Sequence, residues 1–319
     1  MEILFAPLEG VTYPEYRLIH SRMFPGVNQY FSPFIAPNGE GLFKAKYLER
    51  QLPDLLQHVD LVPQILANSV DAFNISAAAV HRLGYEEINL NAGCPSGTVF
   101  AKHKGSGMLT DLDSFARFLD GIFSQNDNIS IKTRMGISSC DEFGEILSLY
   151  NRYPLSRLII HTRARAGMYE STVDLPAFLA AFENCACPVT YNGDIFSPDD
   201  VARITKLVPD LGSIMIGRGA IANPALPRMI LGGPPLAKEE LRTFHDSLFE
   251  AYLSSGISGN FTVERMKNLW KYMGCLFPSG GKTLKELFKA KKPAEYLSVI
   301  DRLFTEEFLG TAAYKKSSI

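Results

Sequence analysis

An α/β fold, a (β/α)8 barrel followed by a C-terminal α-helical domain, is what this sequence predicts, and three observations predict it. Short β-branched or apolar runs recur eight times between residues 3 and 217, each closed by Gly, Asn, Pro or a charge and most followed by a segment of helical periodicity. Polar residues stand at the C-terminal ends of nearly all these runs: Glu9, Gln64, Asn91 with Cys94, Lys132 with Arg134, His161, Asn192 with Asp194, and Arg218. A doubly wound open sheet would gather such residues at one switch point, whereas a barrel brings all eight ends to one mouth. Thirdly, the strand pattern stops at Gly232-Gly233-Pro234-Pro235, and only helical spacing follows. The expected division is a catalytic barrel over 1–233 and a helical domain over 236–319.

The strands are expected at 3–8, 29–35, 61–66, 87–91, 129–134, 158–162, 188–192 and 213–217. Helices are expected at 70–83, 111–123, 142–150, 175–182 and 198–207. The last of these opens with Ser197-Pro198-Asp199-Asp200, which supplies an N-cap hydroxyl, a proline at the first helical position and acids against the helix dipole. Past the break, Leu241, Phe244, Leu248 and Tyr252 keep one helical face, as do Val263, Met266, Trp270 and Met273, and then Leu297, Ile300 and Phe304. Gly280-Gly281-Lys282-Thr283 looks like half a P-loop, but the first glycine of that motif would fall at Leu276. Thr283 with Glu286 reads instead as a capping box.

With 319 residues, 46% of them apolar, and a formal net charge of −2, the chain can bury a full core and is not a disordered chain. Its charge is uneven. Of 32 Lys+Arg and 34 Asp+Glu, residues 236–319 hold 13 and 10, which leaves 19 and 24 for the rest. A mildly basic tail beside an acidic body hints at a polyanionic partner, and Lys285, Lys289 and Lys292 repeat at a spacing that suits either a solvated face or one that tracks phosphates. Five cysteines, an odd number with no secretory leader, point to reduced thiols in the cytoplasm. Cys185-Ala186-Cys187 lacks the second Cys/His pair of a zinc site, so no metal is expected. No apolar run reaches the roughly 18 residues of a membrane span, and no targeting segment is visible.

Cys94 follows a buried strand in Asn89-Leu90-Asn91-Ala92-Gly93-Cys94-Pro95, where a thiol can donate a proton, act as a nucleophile or simply fill space. Lys132 would point into the barrel, where an unpaired ammonium is costly. It is therefore either half of a buried ion pair or a site residue. Gly217, Gly219 and Ala222 make a loose GxGxxG/A that is weak as a dinucleotide motif. In a barrel, the loops after the seventh and eighth strands form the usual phosphate site. Backbone amides around Gly193 and Gly217, with Arg218, would suit the single phosphate of FMN.

Together, Ala6-Pro7-Leu8-Glu9-Gly10-Val11-Thr12, Asn91-Ala92-Gly93-Cys94-Pro95, Lys132-Thr133-Arg134-Met135-Gly136, His161-Thr162-Arg163, Asn192-Gly193-Asp194-Ile195 and Ile216-Gly217-Arg218-Gly219 resemble the motifs of the tRNA-dihydrouridine synthase family, in that family's order. The family more often has a bulkier residue where Ala92 stands and Gly where Thr162 stands, which leaves the target uridine open. The resemblance implies an FMN enzyme that reduces the 5,6 double bond of a uridine in tRNA with NADPH as electron source. Hydride passes from flavin to carbon 6, and Cys94 gives the proton to carbon 5. It also implies that Pro7, Leu8, Glu9, Gln64, Lys132, His161, Asn192, Gly193, Asp194, Gly217 and Arg218 hold FMN. Asn91, Arg134, Arg163 and Arg165 would contact the substrate. A uridine must be flipped out of its stack to reach a barrel mouth, and the basic tail, with the Lys102–Lys104 loop, would grip the surrounding RNA. The expected state is a cytoplasmic monomer with no membrane association. Two other readings stand beside this one: an FMN barrel acting on a free pyrimidine, of the dihydroorotate or dihydropyrimidine dehydrogenase type, and a non-catalytic RNA-binding barrel.

Overall fold

The computed structural model describes residues 1–37, 43, 47–54, 59–312 and 314. Its strands are β1 (Glu2–Phe5), β2 (Gln29–Phe31), β3 (Leu61–Val62), β4 (Gln64–Ile65), β5 (Ile88–Ala92), β6 (Ile129–Arg134), β7 (Arg157–His161), β8 (Val189–Asn192) and β9 (Ser213–Ile216). They form one sheet in the order β3-β2-β1-β9-β8-β7-β6-β5-β4, and every registered pair within it is parallel. The two ends of that order are consecutive in sequence. The predicted third strand is cut in two at Pro63, which has no N–H to give to a ladder. Its first half pairs with β2 and its second with β5, so the segment closes the sheet into the expected eight-stranded barrel. The predicted second strand stops at Phe31, although Ile35 still bridges to Ile65.

Strand alternation then decides what fills the barrel. Leu4, Ala6, Phe31, Val62, Ile159 and Met215 form an apolar cluster. The same parity places Asn89 and Asn91 of β5, Ser130, Lys132 and Arg134 of β6, His161 of β7, and Thr190 and Asn192 of β8 toward the interior. The alternate residues Ile88, Leu90, Ile131, Ile160 and Tyr191 pack outward and are all but fully buried. The covering helices Val70–His81, Leu112–Phe123, Phe143–Tyr150, Leu175–Asn184 and Pro198–Leu207 match the predicted ones within two residues at each end. Ser197 caps the helix as expected, with Asp200 N donating to Ser197 Oγ at 3.3 Å, and Asp200 Oδ2 accepts Ser197 N–H in return at 2.9 Å.

Contacts divide the chain into two compact units. The first comprises residues 1–7, 28–193 and 203–215, and the second 8–27, 194–202 and the described residues from 216 onward. In the second unit the expected helical faces appear on Lys238–Ser254 and Gly259–Met273, whereas Pro293–Leu303 buries Tyr296, Val299, Ile300 and Leu303, with Leu297 half-buried and Phe304 just past the helix end. Phe244 packs edge-on against Tyr16 and Phe24 of the segment 8–27, at centroid distances of 5.5 and 5.2 Å. Trp270 is fully buried and donates through Nε1 to Tyr296 Oη at 2.8 Å, and Tyr296 Oη lies 2.7 Å from His245 Nε2. One expectation fails. Thr283 is not a cap, because the helix already begins at Gly281; its hydroxyl donates to Glu306 Oε1 at 3.1 Å while Glu286 pairs with Arg302. Two contacts from the chain's last helical turns therefore outcompete the local cap. Lys285 and Lys289 stay on the exposed face, and Lys292 caps the following helix.

Candidate active site

Interior-facing strand ends of the first unit gather most of the residues singled out in the sequence. Asn91, on the last turn of the β5 pleat, is the hub. Its Nδ2 donates to Gln64 Oε1 at 2.6 Å, and its Oδ1 accepts the backbone N–H groups of Gly93 at 3.1 Å and Cys94 at 2.9 Å. Gln64 in turn donates to Asn89 Oδ1 at 2.8 Å, and Asn89 to Ser130 Oγ at 3.0 Å. This chain of amides satisfies groups that burial would otherwise penalise. It also fixes the turn that carries the Cys94 thiol. Cys94 is half-buried and free.

From the other side, Ser106 clamps the same turn, with its N and Oγ both donating to Cys94 O at 3.1 and 2.8 Å. The loop can approach only because residue 105 is glycine: its φ is +56°, and a Cβ there would sit 2.8 Å from Cys94 Cβ. No motif in the sequence marks Gly105 or Ser106. Asn89 was missed too, though its place two residues before Asn91 puts it on the same strand face.

Lys132 reaches across the interior to donate to Asn192 Oδ1 at 2.8 Å, and Asn192 Nδ2 is tied to Met215 O at 2.9 Å. Among the described residues no carboxylate lies within ion-pair distance of its ammonium. Burial, aided by the Arg134 guanidinium and opposed by Cys94, holds Lys132 down from 10.5 to about 7. No ion pair among the described residues therefore offsets its charge. What remains is a partly charged donor facing a polar interior.

The arginines bind backbone carbonyls and rings of the protein itself. Arg134 is buried, and its guanidinium donates to Gly93 O at 3.1 Å, Ala164 O at 3.1 Å and Met168 O at 2.8 Å, with the Tyr169 ring 5.2 Å away. Arg163 Nε donates to Ser171 O at 2.6 Å, and Nη1 lies 3.4 Å from His161 Nε2. Arg165 stacks on Phe100 at 3.7 Å. Their shared effect is to order the segment 164–171, which sets the exposed ring of Tyr169 beside His161 at 5.8 Å. No periodicity marked Tyr169, because it lies in a loop.

Pro7 and Gly193 lie at the strand ends of the first unit; Leu8, Glu9, Asp194, Gly217 and Arg218 fall in the second. In that unit Arg218 donates to Asp194 Oδ1 at 2.7 Å and lies over the Phe196 ring at 5.6 Å. Gly219 has no room for a side chain against the Ile195 carbonyl, so packing in this turn requires the second glycine of the Gly217-x-Gly219 pattern. Burial raises the Glu9 carboxyl. Leu8 N donates to Thr12 Oγ1 at 2.9 Å, closing the turn that holds Glu9.

A family model described as dihydrouridine synthase matches residues 4–239 of the chain. The sequence is 25% identical to the tRNA-dihydrouridine(16) synthase of Neisseria meningitidis over 96% of this chain and 95% of that protein. It is 29% identical to the probable tRNA-dihydrouridine synthase 2 of Bacillus subtilis over 69% of each. Among solved structures it resembles a variant of NCR from Zymomonas mobilis, with TM-score 0.54, 15% identity and coverage of 76% of this chain and 90% of that one. Morphinone reductase gives 0.51 at 12% identity, covering 73% and 86%. At such identities these two likenesses speak for the barrel alone.

Proposed function

The chain belongs to the dihydrouridine synthase family, and on that premise we propose that it reduces the 5,6 double bond of a uridine in tRNA, with Cys94 as the general acid that protonates carbon 5. The observation that carries the role of Cys94 is the doubly held turn. Asn91 fixes its backbone N–H and Ser106 its carbonyl, so the thiol is presented at a strand end inside a polar interior. A positioned acid of this kind is typically worth a hundred- to ten-thousand-fold in rate.

FMN is the cofactor of this reading, with NADPH as electron donor. The first unit's donor set fits it: Lys132 is a half-buried cation whose hydrogen bond goes to the neutral amide of Asn192, so a ligand edge that bears negative charge would supply a counter-charge. Bound FMN would supply the hydride taken up at carbon 6. Gln64, Lys132, His161, Asn192, Gly193 and Pro7 would hold it from this unit. The assignment of Leu8, Glu9, Asp194, Gly217 and Arg218 to the same cofactor rests on the sequence resemblance. Asn91 would orient the uracil, and Arg134, Arg163 and Arg165 would act on the substrate largely through the loop they order.

The barrel of residues 1–233 would be catalytic and residues 236–319 would grip tRNA, with exposed Lys282, Lys285, Lys289, Lys291 and Lys292 as phosphate contacts. No helix among the described residues is long and apolar enough to cross a membrane, and we take the protein to work as a monomer in the cytoplasm.

The test is Cys94→Ala, assayed with NADPH and unmodified tRNA, with dihydrouridine read by mass spectrometry. The variant should keep its flavin spectrum and tRNA affinity and lose about a hundred-fold or more in dihydrouridine formation. Near wild-type turnover would sink the acid assignment. A wild-type protein that oxidises NADPH but leaves tRNA unchanged, while reducing a free pyrimidine, would move the substrate to that smaller class.

A further inference from the structure

Between helix Leu175–Asn184 and strand β8 runs Cys185-Ala186-Cys187-Pro188, at the end of β8 opposite Asn192. The two sulfurs face each other at 3.6 Å, and both residues are half-buried. The backbone around them is fixed by groups from neighbouring elements. Asn151 donates through Nδ2 to Asn184 O at 2.8 Å and accepts Ala186 N–H on Oδ1 at 2.9 Å, while Pro188 O accepts Leu158 N–H at 2.9 Å. One side chain therefore pins the residue before the pair and the residue within it, and a strand pins the residue after it.

Nothing in the proposed reaction uses these thiols. Two sulfurs this close can share a soft cation or join to each other. A structural zinc takes four ligands, and among the described residues no group of three or more His, Cys, Asp or Glu is placed to hold a metal. Joining needs the sulfurs to close from 3.6 Å to about 2.05 Å. We propose that Cys185 and Cys187 are a reversible dithiol–disulfide pair, a modification site that exchanges with small-molecule disulfides of the glutathione class.

Cys185 is the attacking thiol. The hydrogen bond from Cys187 lowers Cys185 to about 7, and the same bond, with burial, raises Cys187; the thiolate is the nucleophile in such exchange. Cys185 Sγ attacks one sulfur of the external disulfide, whose S–S bond breaks to release one thiol and leave a mixed disulfide on Cys185. Cys187 then attacks Cys185 Sγ, and the second small thiol leaves. Two protein thiols are oxidised, one external disulfide is reduced to two thiols, and the two protons of the cysteines pass to the released thiols. A disulfide with solvent access is of the labile kind, which makes the change reversible.

The experiment treats the full-length protein with oxidised glutathione, blocks remaining thiols with iodoacetamide and digests with trypsin. Both cysteines fall in the fragment 166–203, which contains no other cysteine. It should appear unalkylated and lighter by two hydrogen atoms, and should return to the doubly alkylated form after dithiothreitol. A fragment that is doubly alkylated from the start, or that carries glutathione on one cysteine and an alkyl group on the other, would overturn the proposal. In Cys187→Ser the same treatment should leave glutathione on Cys185; an alkylated Cys185 there would refute the order of attack.

Discussion

Replacing Lys132 by Met should stabilise the cofactor-free protein at pH 7, and the gain should shrink by pH 9. In the folded chain the ammonium is held at about 7, whereas an unfolded lysine titrates near 10.4. Between those values the unfolded state binds a proton that the folded state does not, so the lysine's contribution makes stability rise with pH. The penalty works out to about 4 kcal/mol at pH 7 and about 2 kcal/mol at pH 9. Part of the side chain keeps contact with solvent, so these are upper figures. The Met variant keeps the stem and drops the charge. Urea unfolding at both pH values gives the difference between variant and wild type, in which titrating groups not coupled to Lys132 cancel. That difference should be larger at pH 7 by about 1–2 kcal/mol. Equal differences at the two pH values would show that the ammonium is compensated, and the case for Lys132 as a waiting counter-charge would fall. In the same variant, retention of flavin through purification should drop.

Gly105→Ala places a Cβ 2.8 Å from Cys94 Cβ at a φ of +56°. It should lower stability by about 1–2 kcal/mol and reduce turnover more than tRNA binding, read by thermal melts and a filter-binding assay. Tyr296→Phe strips the hydroxyl that accepts from Trp270 and bonds His245; chemical denaturation should show a loss of about 1–3 kcal/mol with the flavin site intact. Lys285→Glu with Lys289→Glu alters only an exposed face. It should weaken tRNA binding and flatten its salt dependence by roughly one unit of slope per lost phosphate contact, and unchanged affinity at physiological salt would refute the RNA role of that helix. Deleting 236–319 would be a poorer test, since Phe244 packs on Tyr16 and Phe24.

Much of the barrel was legible because its signals are local. Strand ends carried Asn91, His161 and Asn192, Lys132 read as pointing into the barrel, and each strand's end was marked by the residue that stops it. Cys94 could be singled out for the same reason, since it closes a strand. What one strand faces across the barrel depends on closure, and no local pattern carries that. The split at Pro63, the amide chain from Asn91 through Gln64 and Asn89 to Ser130, and the Lys132 to Asn192 bond join residues far apart in sequence. The carbonyl and ring partners of Arg134, Arg163 and Arg165 lie in loops whose paths only packing defines. Thr283 had the spacing of a cap and lost it to Glu306, because a long-range contact outweighed a local preference. Residue order thus determined which side chains point into the barrel. Tertiary closure decided which of them meet, because hydrogen bonds and buried charge are settled by three-dimensional neighbours rather than by sequence neighbours.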